Sequence, residues 1–245
     1  MALAKDAAEA LGESAPIADL GAYYLGATAP DIRVLTRWER ERTHFYDLHR
    51  YEDQNSVERL FETYPELARP ERLSPSTVAF VAGYISHLRL DELYIEDVYR
   101  PNFGIRSSLR EHRLVNLMDR VLQYELDRRR REEPETVTHL RDELRRSPLD
   151  IQVAFLDAEL LERWREVAME VAANPPDWGS FRRIASRYLL EAGVESEEDL
   201  QAFLRTVPQL LDETVHLVRP ERVDAFLRRG VESATGAIAR YLDCA

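Results

Sequence analysis

A histidine and an aspartate stand four residues apart, His87 and Asp91, at the end of the run Thr77-Val78-Ala79-Phe80-Val81-Ala82-Gly83-Tyr84-Ile85-Ser86-His87-Leu88, which is apolar almost all round. Such a run marks a central buried helix, and residues four apart on a helix share a face, so this imidazole and carboxylate converge on one point. A carboxylate there is costly unless a partner charge or a metal ion compensates it. Upstream, Asp31 closes an apolar segment that begins at Leu20, and His44 follows it by thirteen residues. Asp31, His44, His87 and Asp91 make a two-histidine, two-aspartate set of nitrogen and oxygen donors. That set suits zinc, manganese or iron, with zinc the first expectation. The plainer alternative for an isolated His-x3-Asp pair is a hydrogen-bonded core pair without an ion, and the pattern alone leaves both open.

The elements that must position these residues read as helices. There are 9 glycines in 245 residues and no run of β-branched alternation, while apolar positions recur at helical spacing, so an all-α multi-helix bundle is expected. Ser74-Pro75 supplies an N-cap and a proline at the first helical position, opening the helix that carries His87 and Asp91, with Pro101 as its expected limit. Ser108-Leu109-Arg110-Glu111 reads as a capping box for a helix ending in Arg128 to Arg131, a charged last turn that complements the helix dipole. Ser147-Pro148 is expected to start a helix running to Asn174. Further helices are expected over residues 179–191, 197–217 and 222–242, with a bend at Pro208. A soft boundary near Pro134 suggests residues 1–133 as the metal-binding region and 134–245 as a helical extension packed on it. His139 and His216 in that second half read as surface or packing residues.

Composition narrows the function classes. With 33 basic and 45 acidic residues the net charge is −12, which disfavours a general nucleic-acid or anionic-membrane binder. Cys244 is the single cysteine, so neither a disulfide framework nor a thiolate metal site is expected, and the composition fits a reducing cytosol. The first ten residues carry early charges and do not read as a secretory signal, and no apolar run approaches the roughly 20 residues of a membrane span. A cytoplasmic location is the expectation.

The segments Tyr24-Leu25-Gly26-Ala27-Thr28-Ala29-Pro30-Asp31, Thr43-His44-Phe45 and Ala82 to Glu92 resemble the zinc-dependent phospholipase C family, which is related to the S1/P1 nucleases. The resemblance runs over roughly residues 16 to 120. It implies an all-α bundle with a metal cleft at one end and makes Asp31, His44, His87 and Asp91 the ligands of one zinc. For a second ion it points to Asp97 and His112, with Asn116 at a ligand position and Asp119 as its substitute. Secreted members take a further ligand from an N-terminal tryptophan, whereas no tryptophan precedes Trp38 here. Asp47 and His49 are expected to orient the metal-bound groups. The implied activity is metal-dependent hydrolysis of a phosphoester, with a zinc-activated water as nucleophile and Asp97 and His112 as catalytic groups. A small soluble phosphodiester or phosphomonoester is the expected substrate. The alternative is a non-catalytic helical protein in which the ion staples the fold or serves an interaction surface.

Overall fold

The computed structural model describes residues 1–12, 17–173, 178 and 181–243, so Cys244 and Gly179 lie outside the described residues. Among these the chain is helical, with one isolated β-bridge and no strand, which makes it all-α as expected. The helices are α1 (Ala2–Leu11), α2 (Leu20–Gly26), α3 (Arg33–Thr36), α4 (Arg40–His44), α5 (Ser56–Thr63), α6 (Pro75–Tyr94) and α7 (Arg100–Asn102). They continue with α8 (Val115–Arg130), α9 (Pro134–Arg146), α10 (Ala158–Ala173), α11 (Phe181–Glu191), α12 (Glu197–Val218) and α13 (Pro220–Leu242). The chain forms two units, each discontinuous in sequence: residues 1–93, 135–174 and 227–245 make the first, and 94–134 with 175–226 make the second. It re-enters the first unit at Glu135, beside the boundary read from the sequence, and the residues beyond are shared between the two.

In the first unit α2 and α6 form the centre. Asp19 caps α2 by accepting from the Ala22 N–H at 2.9 Å, and its carboxylate also takes the hydroxyls of Ser76 at 2.7 Å and Ser147 at 3.2 Å. One side chain thus ties together the start of α2, the start of α6 and the end of α9. Ser74 caps α6 as expected, accepting from the Thr77 N–H at 3.2 Å. Phe80, Val81, Ala82, Tyr84, Ile85 and Leu88 are all buried, so α6 hides every face rather than a stripe. Two glycines set how closely it meets α2. A Cβ on Gly26 would lie 2.0 Å from the Phe80 carbonyl oxygen, and one on Gly83 would lie 1.9 Å from that of Tyr23. The helix backbones therefore touch at this crossing, a distance only glycine permits.

Three expectations about helix ends are corrected. The chain stays helical through Pro101: a π-helical turn (Ile95–Tyr99) follows α6, the Arg100 N–H bonds to the Ile95 carbonyl five residues back, and α7 then contains the proline. The widened turn lets the ring follow without the usual clash with the preceding turn. Ser108 to Glu111 does not open a helix. Those residues form exposed turns and α8 begins at Val115, because the stretch from 108 to 113 offers no buried face to stabilise a helical nucleus. Ser147-Pro148 likewise precedes an extended segment in which Ile151 and Val153 are buried and Gln152 and Ala154 exposed, a two-residue period. Helix α10 starts only after Asp157, whose carboxylate accepts from the Leu160 N–H at 2.8 Å.

The second unit is built on α8, α11 and α12, with Tyr124, Phe181 and Phe203 packing ring to ring. Buried Asp119 accepts from the Tyr94 hydroxyl at 2.7 Å and from Gln123 Nε2 at 2.9 Å. The arginine run ending α8 pairs with acids one turn away, Arg128 and Arg129 with Glu125 and Arg131 with Asp127, in keeping with a charged last turn. Helix α12 opens with a full capping box of Ser196 and Asp199 and holds Pro208 in its interior.

The α2–α6 crossing yields a stability prediction. Gly83→Ala should force the two helices apart and cost roughly 1–3 kcal/mol or more in urea denaturation. Gly236→Ala on α13, where the nearest atom to a new Cβ is a flexible arginine end at 3.5 Å, should be neutral or stabilising by up to about 1 kcal/mol.

Candidate metal centre

Asp31 sits on a 3-10 turn (Ala29–Ile32) that follows α2. Pro30 favours the tight turn, and Thr28 pins it: the Thr28 hydroxyl donates to the Leu25 carbonyl at 3.0 Å and accepts the indole N–H of buried Trp164 at 3.0 Å. His44 is the last residue of α4, which ends there because Phe45 turns left-handed at φ 54. That conformation is strained for a non-glycine residue, and it is held by packing of the buried Phe45 ring against Tyr64 and Tyr84. His87 projects from α6 one turn after the glycine crossing.

These three residues come together. One ligand atom from each of Asp31, His44 and His87 lies within 4.8 Å of the others, and the two imidazole rings meet edge to face at 5.2 Å. His44 Nε2 lies 3.6 Å from Asp31 Oδ1, too long for a hydrogen bond but close to the edge of a tetrahedron with bonds of about 2.0–2.2 Å.

Hydrogen bonds hold both rings in place. His87 Nδ1 lies 2.9 Å from the Ala27 carbonyl oxygen, which can only accept, so Nδ1 carries the proton and Nε2 presents a lone pair. His44 Nδ1 shares a hydrogen bond of 2.9 Å with the Thr43 hydroxyl, which leaves Nε2 facing Asp31. Two imidazoles and a carboxylate whose ligand atoms face one another are the donor set a divalent cation requires, and a proton on His44 Nε2 would leave as the ion binds.

Electrostatics agrees with that reading. Desolvation by the surrounding protein opposes ionisation of Asp31, yet the direct contact with His44, and then His87 and the Arg40 guanidinium, outweigh it and hold the carboxyl well below the usual carboxylate range. Burial lowers the pKa of His87 against the opposing pull of Asp31, keeping the ring neutral as a ligand must be. The centre is also reached by solvent: His44 is 2% exposed, but the Asp31 side chain is 59% exposed.

The other expected residues are placed as follows. Asp91 lies one turn beyond His87 and forms an ion pair through Oδ2 with Arg40 Nη2. Asp97 lies on the π-helical turn and His112 in the turns before α8, both in the second unit. His112 is exposed, and its Nδ1 accepts from the Leu114 N–H at 3.2 Å. The Asp47 carboxylate accepts from the His49 N–H at 2.8 Å within their own loop, and the His49 side chain points to the exposed side. Glu92 is buried, accepting from the Ser56 hydroxyl at 2.6 Å and from Arg89 at 3.1 Å. His139 is a packing residue, hydrogen-bonded to Tyr24 at 3.0 Å. Sequence reading missed Arg40 and Thr43. Arg40 stands four residues before His44 on α4, but its partner Asp91 is 51 residues away, so its role left no local signal.

Comparison with known families agrees with this centre, because the family described as zinc dependent phospholipase C matches residues 1–92. Over that segment the chain is similar to the zinc-dependent phospholipase C family. The match contains α2, α4, nearly all of α6 and every residue of the Asp31–His44–His87 cluster. No curated protein and no solved structure gives a significant match. The zinc dependence of the family and the donor set of the cluster together support zinc as the cofactor, and at a coarse level they support a metal-dependent hydrolase. Among the described residues no helix is long and apolar enough to cross a membrane.

Both perturbed groups have folded pKa values below their unfolded ones, so the unfolded chain binds more protons and stability falls with falling pH. For His87 the loss begins below its unfolded value of about 6.5, and for Asp31 below about 3.9. Thermal melting of metal-free protein should therefore drop between pH 7.5 and 5.5, and His87→Gln should reduce that drop. Equal pH dependence in both proteins would contradict the neutral, buried His87.

Proposed function

We propose that this chain is a metal-dependent phosphoester hydrolase whose zinc is held by Asp31, His44 and His87. The observation that supports it most is the convergence of two imidazoles and one ionised carboxylate around a single point on the solvent-reached side of α6. Three protein donors with solvent access are the arrangement of catalytic rather than structural zinc sites. Bound zinc would supply a Lewis acid for a phosphoryl oxygen and a lowered pKa for water.

The chain's own residues prepare that chemistry. Ala27 holds His87 in the ligand tautomer, and Thr43 holds the His44 ring in place. Asp31 is ionised at neutral pH and lies on the exposed side. Asp91, as a fourth ligand, would bind through Oδ1, since Arg40 takes Oδ2. The reading draws no step from Asp97 or His112. The substrate class is a phosphodiester or phosphomonoester, and the acidic chain with net charge −12 favours a small soluble one over nucleic acid.

The test is hydrolysis of chromogenic phosphodiesters and phosphomonoesters by wild type, His87→Ala and Asp31→Asn, each chelated and then reconstituted with zinc or manganese. Wild type should turn over only when reconstituted, and both variants should lose at least about a hundredfold. Equal rates in all three would contradict the proposal. Full zinc occupancy without turnover on either ester class would favour the non-catalytic, metal-stapled reading.

A further inference from the structure

Among the described residues Arg40 is the one arginine or lysine placed against the metal-centre carboxylates, and its guanidinium is only partly used. Nη2 pairs with Asp91 Oδ2, and its charge reaches Asp31 as well. The side chain is 18% exposed, and its Nε is buried with no hydrogen-bond partner. A buried guanidinium N–H without an acceptor is costly, and such groups are normally satisfied. The neighbouring arginine on the same short helix is committed elsewhere, since Arg42 stacks on the Trp38 ring at 3.8 Å.

Charge decides when an acceptor could arrive. Asp31 and Asp91 against Arg40 leave the centre with one net negative charge, which repels anions. A divalent ion reverses the sign to one net positive charge. The centre then attracts an oxyanion, and the guanidinium offers the planar donor geometry that phosphoryl oxygens match.

We infer that Arg40 is an oxyanion-binding residue of the metal centre, the solvent-reached part of its guanidinium gripping a phosphoryl oxygen once the ion is in place. The inference rests on the metal-centre reading and extends it by naming the group that positions the substrate phosphate. Its pairing with Asp91 fixes the guanidinium against α6, so the donor is oriented before the ligand arrives. Zinc loads first and the phosphoryl group second.

The test uses the full chain and inorganic phosphate, measured by calorimetry on metal-free and zinc-loaded wild type, Arg40→Lys and Arg40→Gln. Zinc stoichiometry is measured first on each. Wild type should take one zinc, then bind phosphate only when loaded. Arg40→Lys should weaken phosphate at least about tenfold and Arg40→Gln should abolish it, while zinc still binds to both. Arg40→Lys keeps the ion pair and carries the comparison if Arg40→Gln does not fold. A parallel arm replaces phosphate with phosphatidylcholine vesicles containing phosphatidic acid. Arg40-dependent binding in either arm supports the inference and tells free phosphate from a lipid headgroup. No zinc binding in wild type would overturn the metal reading and this inference with it. Normal zinc binding with phosphate affinity equal in all three proteins, or no oxyanion binding to loaded wild type in either arm, would overturn this inference alone.

Discussion

The hydrogen bond from His87 Nδ1 to the Ala27 carbonyl, 2.9 Å long, is the interaction on which the centre depends. It exists because α2 and α6 meet backbone to backbone at Gly26 and Gly83, which brings the end of α2 within reach of a side chain one turn further along α6. Any larger residue at the crossing would move that carbonyl away. The same bond selects the His87 tautomer and so makes Nε2 a ligand rather than a donor. Close packing between two helices and the chemistry of one nitrogen are thus a single constraint.

The rest of the centre is built against that fixed point. Asp31 is delivered by a turn pinned to Trp164 of α10, and His44 by a short helix halted at the left-handed Phe45. Residues 135–174 therefore contribute to the site although they lie beyond the family match, by holding the turn that carries a ligand. The polarity is graded across the centre. His44 is buried, Asp31 is ionised and exposed, and Arg40 brings a positive charge to the two carboxylates. That gradient suits a site that holds a cation on one side and admits an anion from the other.

Much of this was legible in the sequence, because the informative features are local. The all-round apolar run announced α6, Ser74-Pro75 its start, and helical spacing the shared face of His87 and Asp91. The helices ending the chain were read to within about two residues, since their stripes and caps agree with their packing. Reading faltered where a local signal lacked tertiary support. Ser108 to Glu111 has the letters of a capping box but no apolar face behind it, and the Ser147 hydroxyl is drawn to Asp19 instead of capping a helix. Arg40 escaped notice because its partner Asp91 is 51 residues away, and an ion pair between distant elements leaves no periodic trace. Glu92 was ambiguous for the same reason, its burial being decided by Ser56 and Arg89.

The most direct measurement is anomalous diffraction at the zinc edge on crystals of the zinc-loaded chain. The account predicts an anomalous peak bonded to Nε2 of His44, Nε2 of His87 and the Asp31 carboxylate, at about 2.0–2.2 Å from each, with His87 Nδ1 still on the Ala27 carbonyl. Zinc bound through Nδ1 of either histidine, or zinc found only away from α6, would contradict it.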